Sequence, residues 1–260
     1  MKKFAKTVNL ELRKVHLWLN ANNITINKDK TKYILFSYNK NIKLPKIKIG
    51  NNVILETSVT KFLGIHIDKN LTFKHHINEI SIKLSKTIGL LFKLNKFLPH
   101  NILKIIYQSI FQPYLNYGIE AWHATVKNHT NRIFILQKKA IRAINNLDYN
   151  EHTNEYFISN HLLKLENQFE LQTLIYMYKS INSNFDEEVG SRLNQLAGVH
   201  DHNTKSCNKL NVTRVNRSRS KNLICHNGTK MWNKLPENIR NAKSLYVFRK
   251  MTKNFYLDKY

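Results

Sequence analysis

Residues 61–77 read KFLGIHIDKNLTFKHHI, and a change of period inside this stretch divides the chain. Leu63, Ile65 and Ile67 alternate with polar or small neighbours, as in a half-buried strand, so residues 61–67 read as a strand. After Asp68 the apolar residues fall at helical spacing: Phe73, Ile77, Ile80, Leu84, Ile88 and Leu91 share one face. What lies before the change is sheet-like, and what lies after it is helical.

Working backward, Lys32 to Ser37 is strand-like. Ile47 to Ile49 and Val53 to Leu55 form a hairpin across Gly50-Asn51-Asn52. Val8, Leu12, Val15 and Leu19 recur at helical spacing with Trp18 beside them, which predicts a helix over residues 5–21. Working forward, Pro99 ends the first long helix. Ile102, Ile105, Ile106, Ser109 and Ile110 mark the next, running toward Pro113. Ile133, Leu136, Gln137, Ala140, Ile141 and Ile144 mark a third helix. Phe169, Leu174, Ile175 and Tyr178 mark a fourth over residues 166–181.

Residues 198–222 lose all periodicity and end in RVNRSRSK. Order returns in the last segment, where Ser244 is placed to cap a helix carrying Leu245, Phe248 and Phe255. The predicted fold class is α+β and helix-dominant: a small antiparallel sheet with one packed helix, then a helical bundle. The predicted segments are 1–70, 71–190, a polar basic linker over 191–222, and 223–260.

The 260 residues hold 42 Lys and Arg against 17 Asp and Glu, a formal charge of +25. Such an excess is best tolerated against a polyanion, which points to nucleic acid. AT-rich codon usage would supply Lys and Asn unselected but does not explain so few acids. The lysines and arginines expected at phosphates are Lys61, Lys74, Lys83, Lys86, Lys138, Lys139, Arg142, Arg214, Arg217 and Arg219. For the RVNRSRSK tract an inert charged loop is the competing reading. Tyr107, Tyr114, Tyr117 and Trp122 are expected in the core rather than as base-stacking platforms.

Two cysteines, Cys207 and Cys225, make no disulfide framework. With His200, His202 and His226 they match no common zinc spacing, so no metal site is expected. His75-His76, side by side on a helix, point in different directions and suit surface or nucleic-acid contact better than a metal. No signal peptide or membrane-spanning run is visible, so an intracellular location, nuclear or cytoplasmic, is expected, with no membrane partner.

Five stretches carry a resemblance: WLNANNITINKDKTKYILF (18–36), KFLGIHIDKNLTFKHHI (61–77), IYQSIFQPYLNYGIEAW (106–122), LQKKAIRAI (136–144) and GTKMWNKLPENIRNAKSLYVFRK (228–250). In this order they resemble the C-terminal half of a reverse transcriptase from a non-LTR (LINE, jockey-like) retrotransposon. The resemblance implies that residues 1–70 are a partial palm and 71–190 a thumb-like domain. It implies that Phe62, Leu63 and Gly64 form a primer-grip-like element. Gly64, lacking a side chain, allows either close approach of a nucleic-acid backbone or a local bulge. It implies that Lys30 is the motif lysine near the incoming triphosphate, a donor to the pyrophosphate leaving group; the competing reading is an exposed turn lysine.

Such polymerases use two metal ions held by palm carboxylates. The 260 residues contain no aromatic-Ala-Asp-Asp motif, and Asp186, Glu187 and Glu188 read as a solvated acidic run. The expectation is a truncated polymerase portion, with no cofactor of its own and Mg2+ needed only by a full-length enzyme. It would hold RNA or an RNA–DNA duplex, take no small-molecule substrate, and be inactive alone. The alternative is a non-catalytic RNA- or DNA-binding module derived from a retrotransposon.

Overall fold

A computed structural model describes residues 2–27, 29–37, 39, 42, 45–123, 127–182, 193, 209–212, 214–215 and 223–260. The chain divides into two compact units, Met1–His76 and Ile77–Tyr260.

The first unit opens with α1 (Lys2–Ala21) and continues with β1 (Lys32–Tyr33), β2 (Ile47–Ile49) and β3 (Asn52–Glu56). The hairpin read from Gly50 and its neighbours is present: β2 and β3 pair antiparallel, with Ile47 opposite Ile54. β1 joins β3 in parallel, Lys32 opposite Leu55, so the sheet is mixed, in the order β1-β3-β2. Only two residues of the 32–37 run enter the ladder. Ile47, Ile49 and Ile54 form the core of this unit, with Val8, Leu12, Ile26 and Tyr33 packed against them. The helix faces the sheet through its first half, whereas Val15 and Trp18 are exposed. Asn9 secures this packing. Its side chain accepts from the Lys48 amide at 2.9 Å and donates to the Lys46 carbonyl at 3.2 Å, satisfying backbone groups of an edge strand.

A separate two-stranded hairpin follows, β4 (Val59–Phe62) with β5 (Ile65–Asp68). The single strand expected over 61–67 is thus two strands folded back, with Phe62 opposite Ile65. The apolar alternation runs straight through the turn, which is why the reversal is hidden in the sequence. Its two central residues, Leu63 and Gly64, have φ of +44° and +82°. Two positive φ values in succession give the twist that suits a two-residue hairpin.

The second unit is helical. α2 (Lys74–Leu94) buries Ile77, Ile80, Leu84, Ile88 and Leu91, the stripe read from sequence. α3 (His100–Ile106) passes through a π-helical turn, Tyr107–Phe111, into α4 (Gln112–Asn116). Here the sequence reading chose the wrong face. Ile102, Ile105, Ser109 and Ile110 are exposed, while Leu103, Tyr107, Phe111 and Leu115 are buried. Both sets have helical spacing; the larger side chains, with Tyr107 and Phe111 stacked at 4.9 Å, took the interior. Tyr107 and Trp122 are core as expected, but Tyr114 and Tyr117 are exposed.

α5 (Ile119–Trp122), α6 (Lys127–Asn145) and α7 (Asn154–Ser159) lead to α8 (Leu165–Asn182). α8 buries residues around most of its circumference, among them Leu165, Phe169, Leu171, Leu174, Met177 and Tyr178. A helix buried on several sides sits in the middle of a bundle. Among the helices packed on it are α4, α5, α6, α9 (Ile224–Lys234) and α11 (Leu245–Leu257). α10 (Glu237–Arg240) lies between the last two in sequence.

Ser244 caps α11 as predicted, its hydroxyl accepting from the Val247 amide at 3.3 Å. The Phe248 ring stacks on Tyr178 at 4.5 Å and on Trp232 at 5.7 Å, joining α8, α9 and α11. Gly228 allows α9 to approach α8 closely: a Cβ there would stand 2.9 Å from Met177 Sδ.

Candidate nucleic-acid interface

The β4–β5 hairpin presents Phe62 and Leu63 at its tip, 61% and 74% exposed. Lys61 is also exposed and pairs in the ladder with His66. Leucine is an unusual choice for a left-handed turn position, which favours Asn or Gly. The turn therefore trades local backbone preference for an exposed apolar side chain.

At the base of the hairpin one carboxylate holds the segment that follows, residues 70–73. Asp68 Oδ2 accepts from the Phe73 amide at 2.7 Å, and from the amide and hydroxyl of Thr72 at 3.0 Å each. Asp68 Oδ1 accepts from the Asn70 amide at 3.0 Å. Leu71 and Phe73 both have φ of +52°, a strained path that these bonds hold in place. Burial pushes the Asp68 carboxyl up, but the Thr72, Phe73 and Asn70 bonds outweigh it and keep it below its ordinary value. This clamp was not read from the sequence. Its signal, Asp-x-x-x-Thr before a helical run, resembles a cap drawn out by one turn.

Lys30 is exposed in a turn organised by Asn27. The Lys30 amide donates to Asn27 Oδ1 at 3.0 Å, and the Thr31 hydroxyl to the Asn27 carbonyl at 2.7 Å.

Lys74 and Lys86 on α2 are exposed. Lys83 is half-buried, paired with Glu79 at 2.7 Å, and stands 5.5 Å from the Tyr114 ring centroid. On α6 the three expected cations are partly engaged. Lys138 Nζ lies 4.7 Å over the Phe134 ring and Lys139 Nζ 5.9 Å over Tyr149. The Arg142 guanidinium donates twice to the Glu151 carbonyl, at 2.8 and 3.1 Å. Arg142 therefore fastens the loop after α6, whatever else it touches. Arg214 is exposed, and Arg217 and Arg219 lie outside the described residues.

The sequence reading passed over three cations: Lys253 and Arg249 on α11, and Lys104 on α3, whose charge, like that of Arg249, acts on Lys253. The i, i+4 spacing of Arg249 and Lys253 was the available signal.

His75 is exposed and His76 buried. Cys225 is half-buried with a free thiol, and His226 is buried. His200, His202, Cys207, Asp186, Glu187 and Glu188 lie outside the described residues. Among the described residues no three His, Cys, Asp or Glu side chains are grouped as a metal site requires, and no helix is long and apolar enough to cross a membrane.

No family model and no solved structure matches the chain. Curated relatives do. The RNA-directed DNA polymerase from mobile element jockey of Drosophila melanogaster is 32% identical over 132 residues, 49% of this chain and 14% of the relative. The probable RNA-directed DNA polymerase from transposon X-element of the same fly is 26% identical over 211 residues, 80% of this chain and 21% of the relative. The jockey polymerase of Drosophila funebris is 31% identical over 131 residues, 49% of this chain and 14% of the relative. The chain thus spans at most 21% of the length of these relatives. Over up to 80% of its own length, it is similar to RNA-directed DNA polymerases of insect mobile elements.

Proposed function

We propose that these 260 residues are the template–primer-holding portion of a mobile-element reverse transcriptase, with the hairpin tip at the primer and the helical unit along the duplex. The observation that carries the reading is similarity to RNA-directed DNA polymerases over most of a chain whose formal charge is +25. An RNA–DNA duplex or RNA is the ligand whose phosphates that charge would meet. Phe62, Leu63 and Gly64 approach the primer end, and Lys61 lies beside them. Lys30 is the residue placed to donate to the pyrophosphate leaving group once a nucleotide site is completed. The two-metal chemistry belongs to carboxylates that these 260 residues do not contain, so on their own they bind without extending.

The test is a purified-protein assay on a labelled RNA–DNA primer–template. Binding is expected to fall steeply between 50 and 200 mM salt, by orders of magnitude if several phosphates are engaged. No primer extension is expected with Mg2+ or Mn2+. Extension above a heat-inactivated control would reject the inactive-portion reading. Absence of duplex binding at low salt would reject the holding role.

A further inference from the structure

Lysines that lose hydration without gaining a carboxylate are costly to keep, and the helical unit holds such residues on α3 and α11, which the sequence reading passed over. Arg249 and Lys253 are one turn apart on α11, beside its buried stripe of Phe248, Thr252 and Tyr256. Lys104 comes from α3, close enough to Lys253 for its charge to act there. Lys104 and Lys253 are half-buried and Arg249 is exposed. Among the described residues no carboxylate forms an ion pair with any of the three.

A second pair of lysines lies by the residue that ends the chain after α11. Tyr260 accepts the Lys164 amide on its hydroxyl at 2.7 Å and carries the Lys164 ammonium 4.1 Å over its ring. Lys138 acts in turn on Lys164. Two acids lie at the far end of this row: Glu170, beside the hydroxyls of Tyr256 and Tyr260, and the exposed Asp258 at the end of α11. From Arg249 to Tyr256 the helix rises about 10 Å, room for about three phosphates of one strand.

We propose that Lys104, Arg249 and Lys253, extended by Lys164 and Lys138, form a built phosphate-backbone track for the nucleic acid. The track rests on the binding role proposed above and names residues for it. Burial and the neighbouring charges of Lys104 and Arg249 both push the Lys253 ammonium below its ordinary value. Burial and Lys138 do the same to Lys164. A phosphodiester supplies the missing counter-charge, whereas a neutral or cationic partner would not.

The test compares two triple variants of the full chain on an RNA–DNA duplex. One carries Lys104→Gln, Arg249→Gln and Lys253→Gln. The other carries Lys230→Gln, Lys234→Gln and Lys243→Gln, an equal charge change at exposed lysines. The slope of log affinity against log salt is expected to flatten by about 2 to 3 in the first and by less than about 1 in the second. The first variant should melt no lower than the unchanged protein, because it relieves like-charge crowding. Equal flattening in both variants, or none in the first, would overturn the track.

A second arm separates this failure from failure of the binding role. Lys253 acetylation by acetic anhydride at pH 8 is read by mass spectrometry with and without tripolyphosphate. Protection of Lys253 and Lys104, but not of Lys230, is expected even if no duplex binds. No selective protection would overturn the anion site itself.

Discussion

Gln137 and Tyr107 meet inside the helical unit, the amide nitrogen donating to the phenol oxygen at 3.1 Å with both side chains fully enclosed. The same amide donates to the Leu163 carbonyl at 2.9 Å, and its oxygen accepts from the Leu165 amide at 2.9 Å. One polar side chain in an apolar stripe thereby joins α6, the π-helical turn and the start of α8. Burial raises the Tyr107 phenol far above its ordinary value, so it stays neutral there.

Replacing Gln137 by Leu keeps the volume and strips partners from two backbone groups and a hydroxyl. The expected loss is about 3 kcal/mol, each stranded buried group costing about 1–3 kcal/mol less whatever relaxation recovers. Urea unfolding should show a lower midpoint at an unchanged slope. Adding Tyr107→Phe to that variant should cost less than Tyr107→Phe alone, since the hydroxyl has already lost its partner. Equal costs in both backgrounds would show that the two groups are not coupled.

Asp68 predicts an acid dependence with a definite sign. A carboxyl held below its ordinary value contributes stability that is complete above about pH 4 and is lost as pH falls through its lowered folded value. The urea midpoint of Asp68→Asn should therefore lie below that of the unchanged protein at pH 6. The gap should close toward pH 2. A gap of constant size would mean that the carboxylate charge is not what the amides hold.

Leu63→Asn separates folding from binding. Asn tolerates the left-handed turn better, so stability should rise by about 1 kcal/mol. Loss of the exposed apolar side chain should at the same time weaken primer–template affinity by about tenfold. A variant that is more stable and binds as well as before would remove the hairpin tip from the interface.

At Gly228 the approach of α9 to α8 leaves no space for a branched side chain. Gly228→Val should cost about 2 kcal/mol by overpacking against Met177 and Thr173. Gly228→Ala should cost much less, because the Met177 thioether can swing aside and alanine favours the helix by about 1 kcal/mol. Thermal melts of the two variants test the ordering.

The long helices were legible because each carries an uninterrupted apolar stripe, and α2 places every member of its stripe inside. The Gly50-Asn51 hairpin was legible because its turn uses residues suited to positive φ. The Leu63-Gly64 turn was hidden for the opposite reason: a leucine occupies a position that sequence preference gives to Asn. The face of α3 was misread because isoleucines at one spacing competed with Tyr107 and Phe111 at another, and hydropathy alone favours the isoleucines. At the candidate interface, single lysines could be picked out on α2 and α6, but the influence of Lys104 on Lys253 depends on how α3 and α11 lie in the bundle. No local pattern encodes that.

The stacking of Phe248 between Tyr178 and Trp232 has a consequence for chain integrity. Two polypeptides, one ending after Asn182 and the other starting at Leu223, would carry complementary aromatic surfaces. Cleavage of any peptide bond between those residues should leave the halves associated, eluting together until denaturant pulls the rings apart.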